Sequence, residues 1–136
     1  MEKQQIILIN QLQEIKKILP FIKGIADISA LEDLAINNFI LVLEEAITNV
    51  IKYAFTDEEV HEIKLSFSKS NNVFSFVIED DGIEFDSTKQ EEPDVTLSAE
   101  ERGIGGLGIF LIKQIMDEVN YKRENNKNIL ILSKKI

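Results

Sequence analysis

Residues 103–112 have the sequence Gly-Ile-Gly-Gly-Leu-Gly-Ile-Phe-Leu-Ile, which holds four of the six glycines in the chain. Glycines at this density let the backbone approach a ligand closely and adopt positive φ without a Cβ clash. The apolar residues that follow predict a helix, and the free N–H groups at the start of a helix bind anions. The stretch therefore indicates a phosphate site, although a plain joint between a loop and a helix fits the same glycines equally well.

A long helix is predicted over residues 31–55, because apolar side chains recur there at helical spacing. The apolar stripe consists of Ile36, Ile40, Leu43, Ile47, Val50 and Ala54. At about 100° per residue, Glu45, Asn49 and Lys52 fall together on the side opposite this stripe, and Glu44 falls on its flank. Glu45 and Asn49 are one turn apart and can contact one ligand. A solvated face would also explain three polar residues, but Asn is unfavourable in mid-helix, which favours a binding role for Asn49.

A second polar cluster follows an alternating apolar strand, where Glu79-Asp80-Asp81-Gly82 comes directly after Ile78. Asp-Gly is a turn signal, so solvated acids in a turn that ends the strand are one interpretation. The hairpin turn, however, is already supplied by Asn71-Asn72, between strands predicted over residues 64–68 and 73–78. The carboxylates therefore lead into the long segment 83–104 and are candidates for a binding site.

In this order, the three stretches resemble the sequence boxes of the GHKL ATPase superfamily, and the resemblance covers nearly the whole chain. Residues 43–55 look like the N box, Asp80-Asp81-Gly82 like the start of the G1 box, and residues 103–108 like the G2 box. Glu84 stands where the G1 box has its second glycine. Within the superfamily the chain is most similar to the bacterial anti-sigma factor serine/threonine kinases of partner-switching systems. Its size, Glu-Ala-Ile-Thr-Asn at 45–49 and Met-Asp-Glu-Val at 116–119 carry that similarity.

The resemblance implies that the protein binds ATP and Mg²⁺. It makes Asn49 the metal ligand, and it makes Asp80 the acceptor of a hydrogen bond from the exocyclic amino group of adenine. Further nucleotide contacts are implied for Lys52, Gly82, Arg102, Gly103, Gly105, Gly106, Leu107 and Gly108. Glu45 is the candidate general base, with Glu44 as the alternate, because phosphoryl transfer to serine needs a carboxylate near the hydroxyl. The segment 83–104 resembles the ATP lid, and its acids are most simply a solvated face.

The implied function is phosphorylation of a serine or threonine in a small antagonist protein, combined with sequestration of a sigma factor or similar regulator. The protein could carry out this function as a homodimer. Two alternatives stay open: an ATP-binding module without significant kinase activity, whose nucleotide state selects partners, and an interaction protein that retains the fold without binding nucleotide. A slow ATPase is a further option, because the same glutamate could activate water. A histidine kinase is disfavoured, because no phosphoacceptor histidine helix precedes the N box.

Composition is typical of one domain over residues 1–136, with 44% apolar residues, no cysteine and one histidine. A net charge of −9 argues against nucleic acid as a partner. No uninterrupted apolar run approaches the roughly 20 residues of a membrane span, and no signal-peptide pattern begins the chain, so we expect no membrane partner and a cytoplasmic location. His61 is expected to be an ordinary surface residue.

The remaining elements complete an α+β two-layer sandwich, in which about three helices cover one face of a mixed or antiparallel sheet. This arrangement is the Bergerat ATP-binding fold of the superfamily. We expect a first strand over 5–9, a helix over 11–26 and a capping box at Ser29-x-x-Glu32 before the long helix. Pro20 counts against the continuity of the 11–26 helix. A third helix is predicted over 106–116, then strands over 118–123 and 128–132 joined by a turn at Asn125-Asn126.

Overall fold

The sheet and its helices are seen in a computed structural model that describes residues 3–89 and 108–136. Within these residues one antiparallel sheet contains β1 (Lys3–Ile9), β2 (Glu62–Ser70), β3 (Val73–Asp80), β4 (Glu118–Glu124) and β5 (Lys127–Lys135). The strand order is β1-β2-β3-β5-β4. The α-helices of this described part of the chain are α1 (Ile18–Lys23), α2 (Asp33–Tyr53) and α3 (Gly108–Ile115). The predicted α+β class is confirmed, and of the two predicted sheet types the antiparallel one is found.

Both predicted hairpins form at asparagine pairs. Asn71, between β2 and β3, has φ of 55°, and Asn125 and Asn126, between β4 and β5, have φ of 54° and 63°. Asparagine tolerates this left-handed conformation better than other residues that carry a Cβ. Two consecutive positive φ angles match the right-handed twist of the flanking strands, which fixes the register of β4 on β5.

The core lies between α2 and the inner face of the sheet. Alternation along β3 turns Phe74, Phe76 and Ile78 inward, and all three are buried. The ring centroid of Phe39 on α2 lies 5.3 Å from that of Phe76 and 5.9 Å from that of Phe74. Phe67 of β2 packs at 5.3 Å from Phe76. These aromatic contacts fix where α2 lies on the sheet.

The helix predicted over residues 11–26 is wrong in its continuity. A 3-10 helix covers Leu12–Lys17, α1 follows directly, and a second 3-10 helix covers Ala26–Ala30. Pro20 is the third residue of α1, where a backbone N–H would have no partner in the helix. The proline therefore lies in the first turn without breaking the helix. The apolar side chains Ile18 and Ile22 are buried as the periodicity requires.

The predicted capping box is also wrong. The N-cap residue of α2 is Glu32, which makes no side-chain capping hydrogen bond, and Ser29 belongs to the preceding 3-10 helix. Because the 3-10 helix between α1 and α2 includes Ser29, the cap position falls on Glu32, and spacing in the sequence does not show this.

By length and apolar composition, α2 would be able to cross a membrane. A core helix of a globular domain has the same composition, and α2 buries Phe39, Leu43 and Ile47 against the sheet. It also carries Glu44 and Glu45 in mid-helix. We therefore assign α2 to the core of the domain.

Phe76→Ala should lower the free energy of unfolding by about 3–5 kcal/mol, because a buried ring is lost and a cavity remains. Leu34→Ala is the matched control, because Leu34 is 69% exposed on α2 and its truncation should cost no more than about 0.5 kcal/mol. Urea denaturation measures both. Equal costs in the two variants would contradict the core described above.

Candidate functional site

Asp80 ends β3 on the inner face of the sheet and is 3% exposed. Its Oδ1 accepts hydrogen bonds from the backbone N–H of Gly82 at 2.8 Å and from Asn128 Nδ2 at 2.9 Å. Burial raises the pKa of this carboxyl above its ordinary value, and the two donors oppose that shift. Asp80 is therefore a buried carboxyl group, and the hydrogen bonds from Gly82 and Asn128 favour its charged form, which accepts hydrogen bonds.

Gly82 packs directly against the end of α2. A Cβ added to Gly82 would lie 2.3 Å from the carbonyl oxygen of Ala54 and 2.8 Å from its Cβ, so no larger residue fits. The next residue, Ile83, donates its backbone N–H to the same carbonyl at 2.7 Å. The loop after β3 and the C-terminus of α2 are thereby joined, which brings the G1 and N boxes into one site.

Asn49 is 1% exposed, although it lies on the side of α2 opposite Leu43. This side of the helix is covered, since α3 begins against it. A Cβ added to Gly108 would lie 3.3 Å from Asn49 Nδ2 and 3.0 Å from Glu45 Oε2. The two polar residues of α2 and the last glycine of the G2 box therefore meet at one point.

Asn49 Nδ2 is buried and has no hydrogen-bond partner among the residues the structure describes. An unpaired buried amide costs about 1–3 kcal/mol, and such groups are rare in folded proteins unless a ligand uses them. The amide can donate to a phosphate oxygen or, turned over, present its oxygen to a cation. The unpaired amide of Asn49, next to Gly108, therefore has the chemistry to bind a phosphate oxygen or a cation.

The other predicted site residues fall into two groups. Lys52 is exposed in the last turn of α2, and Glu44 is half-buried on the flank, so neither shares the burial of Asn49. Arg102, Gly103, Gly105, Gly106 and Leu107 lie outside the described residues, as does most of the segment 83–104. The ligand roles of both groups remain predictions.

Asn128 is a functional candidate that the sequence analysis missed. It is 3% exposed on β5 and pairs in register with Asp80. A buried asparagine is unfavourable in a central strand. That mismatch is the local signal that could have identified it, but its pairing with Asp80 is visible only in the fold.

His61 is not an ordinary surface residue, contrary to expectation. It lies between α2 and β2 with its side chain 18% exposed. Its Nε2 lies 2.7 Å from Asp57 Oδ1, its Nδ1 lies 3.0 Å from Asp81 Oδ1, and its ring stacks on Phe55 at 4.6 Å. The pKa of His61 is raised, first by its hydrogen bond to Asp57. Protonated His61 therefore links the loop after α2 to the loop after β3.

Together, the antiparallel sheet, the buried Asp80 and the covered Asn49 define an ATPase domain of the histidine kinase-like class. Residues 9–134 match the family profile described as the histidine kinase-like ATPase domain, and the chain belongs to this family. The GHKL resemblance and the fold expected from it are confirmed.

Among individual relatives, the chain is 33% identical over 114 residues to the serine-protein kinase RsbW of Listeria monocytogenes serovar 1/2a. The match covers 81% of this chain and 73% of that protein. It is 30% identical over 123 residues to the serine-protein kinase RsbW of Oceanobacillus iheyensis, with 84% and 73% covered. The expected similarity to serine/threonine kinases is thus confirmed.

Solved structures share the fold. A crystal structure of the RsbU and RsbW domains of a Mycobacterium tuberculosis protein superposes with a TM-score of 0.67 at 9% identity, covering 99% of this chain and 32% of that one. The histidine kinase domain of a blue-light activated kinase from Erythrobacter litoralis superposes with a TM-score of 0.57 at 16% identity, covering 91% and 60%. At such identities the likeness shows the fold alone.

Replacing His61 with Asn should lower thermal stability most at acidic pH. A group whose pKa is raised on folding adds stability that is complete below its unfolded value of about 6.5 and is lost as pH rises through the folded value. The difference in Tm between wild type and His61→Asn should therefore be largest near pH 5.5 and shrink as the pH rises above 6.5 and through the raised pKa of His61. Calorimetry across this range measures it. A difference that does not change with pH would mean that His61 acts only by stacking on Phe55.

Proposed function

We propose that the protein is a serine kinase that binds Mg-ATP between α2, α3 and the end of β3 and phosphorylates a small antagonist protein. The observation that carries this proposal is the buried, unpaired amide of Asn49 beside Gly108. The names of the relatives, serine-protein kinases, support the reaction type. A sigma factor or similar regulator is proposed as second partner from the same resemblance, and a cytoplasmic location is proposed from the sequence pattern.

Asp80 is proposed to recognise the adenine base. Both of its hydrogen bonds from described residues go to Oδ1, so Oδ2 is the atom proposed to accept from the exocyclic amino group. Because the carboxyl is buried, one such hydrogen bond discriminates strongly between bases: a base without an amino group there leaves a buried acceptor unpaired.

Asn49 and Gly108 are proposed to hold the phosphate end. Gly108 allows the start of α3 to pack closely on the two side chains, since a Cβ there would lie 3.0 Å from Glu45 Oε2 and 3.3 Å from Asn49 Nδ2. Asn49 would hold Mg²⁺ through its amide oxygen, and the cation, when bound, offsets phosphate charge that this acidic protein would otherwise repel. An amide binds the cation without adding a further negative charge near the phosphates.

Glu45 is proposed to act as the general base. As the serine Oγ forms its bond to the γ-phosphorus, the bond from that phosphorus to the β,γ-bridging oxygen breaks and ADP leaves. The hydroxyl proton passes to the Glu45 carboxylate. Glu45 is half-buried with Oε2 toward Gly108, so it lies beside the proposed phosphate position with access for a protein substrate. Glu44 lies on the flank of the apolar stripe of α2 and is less well placed to act as the base.

Asn49→Ala should weaken Mg-ATP binding by about 100-fold or more, because a ligand of the metal is lost. Its Tm without nucleotide should be unchanged or higher, because the substitution removes an unpaired buried amide. Asn37→Ala, exposed on the same helix, is the matched control and should bind as wild type. Titration calorimetry measures binding, and wild-type affinity in a folded Asn49→Ala protein would disprove the assignment.

Glu45→Gln should keep Mg-ATP affinity and lose phosphotransfer by about 10²–10⁴-fold, because only the proton acceptor is removed. Glu44→Gln should be milder. Transfer of labelled γ-phosphate to an antagonist protein encoded beside this chain is the measurement. Loss in Glu44→Gln alone would move the base to that residue. A wild-type protein that binds ATP without transferring phosphate would instead be a regulatory module.

A further inference from the structure

Asn128 makes more hydrogen bonds than its position on a strand requires. Its Nδ2 donates to Asp80 Oδ1 at 2.9 Å and to the carbonyl oxygen of Ile83 at 2.7 Å. One side-chain amide thus contacts both the proposed adenine acceptor and the loop that follows it.

The oxygen of the same amide is held by three donors. Asn128 Oδ1 accepts from the backbone N–H of Phe85 at 3.1 Å, from Tyr121 OH at 2.5 Å and from Arg123 Nη1 at 3.2 Å. Arg123 Nη1 also donates to the carbonyl oxygen of Gly82 at 2.7 Å. Turning the amide over would place its N–H groups against all three donors, so its orientation is fixed with the N–H toward Asp80.

We propose that Asn128 is a positioning residue for base specificity, which holds Asp80 as a hydrogen-bond acceptor and thereby restricts the site to bases that present an amino group. An acceptor matches adenine, whose amino group donates. Hypoxanthine carries a carbonyl oxygen at that position, and two acceptors would then face each other. This inference rests on the proposed function, because it takes Asp80 to face the base.

The environment of Asp80 explains why it needs such a partner. Burial favours the neutral carboxylic acid, which can donate as well as accept, and the amide of Asn128 is one of two donors that favour the carboxylate. Without Asn128, Asp80 can carry a proton and donate it to the carbonyl of hypoxanthine. The expected loss is therefore in discrimination between bases, beyond any loss in overall affinity.

The experiment compares the affinities for Mg-ATP and Mg-ITP by titration calorimetry in wild type, Asn128→Asp, Asn128→Ala and Asn120→Ala. Asn128→Asp keeps the size and the acceptor for the three donors, and it replaces the N–H toward Asp80 and Ile83 with a carboxylate oxygen and its negative charge. Asn128→Ala adds no charge beside Asp80, so it carries the test if the aspartate variant does not fold. Asn120, exposed on neighbouring β4, is the control.

Wild type and Asn120→Ala should prefer ATP to ITP, and both Asn128 variants should lose about ten-fold of that preference, as expected for one hydrogen bond to a charged group. A purely structural role for Asn128 would weaken both nucleotides by the same factor and leave their ratio unchanged, and that result would overturn the inference. Failure of the proposed function is distinguishable, because wild type would then bind neither nucleotide or show no preference.

Discussion

The packing of Phe39 of α2 on the aromatic inner face of β3 is the contact on which the site depends. It sets the position of a 21-residue helix over the sheet. With the helix held there, Ala54 at its end meets Gly82 at a distance that allows no side chain. A shift of α2 along its axis by one turn, about 5.4 Å, would separate Asn49 from Gly108 and open the junction with the loop after β3.

Adjacent carboxylates at the end of β3 have opposite environments because successive strand residues point to opposite sides. Asp80 points inward, where burial raises its pKa and Asn128 and Gly82 donate to it. Asp81 is exposed over half of its side chain and pairs with His61. One carboxylate is therefore available for recognition of a ligand, and the other ties the loop after α2 to the sheet.

Much of the fold was predictable from local pattern. Alternation of apolar and polar residues predicted the strands, the asparagine pairs predicted the hairpin turns, and apolar residues at helical spacing predicted α2. Each of these signals depends on residues close in sequence. The continuity of the first helix and the cap at Ser29 were wrong, since tertiary packing determines where a helix begins and ends. For the candidate site, Glu45, Asn49 and Asp80 were predicted from polar residues in unusual positions, and their roles stay predictions. Asn128 was missed because its partner Asp80 lies 48 positions away, and the contact of His61 with Asp81 likewise spans 20 positions.

The pairing of β3 with β5 also determines how the fold responds to a change in the length of the chain between these two strands. Asp80 and Asn128 face each other across the sheet, so folding closes one long loop that contains both the segment 83–104 and α3. The entropy of closing a flexible loop grows only logarithmically with its length, and doubling that length costs about 0.6 kcal/mol. By this entropy of loop closure alone, a change in the length of the connection between β3 and β5 would alter the free energy of folding very little. The register of β3 on β5 is set by the strands themselves, so the sheet can stay the same while the length of this connection changes.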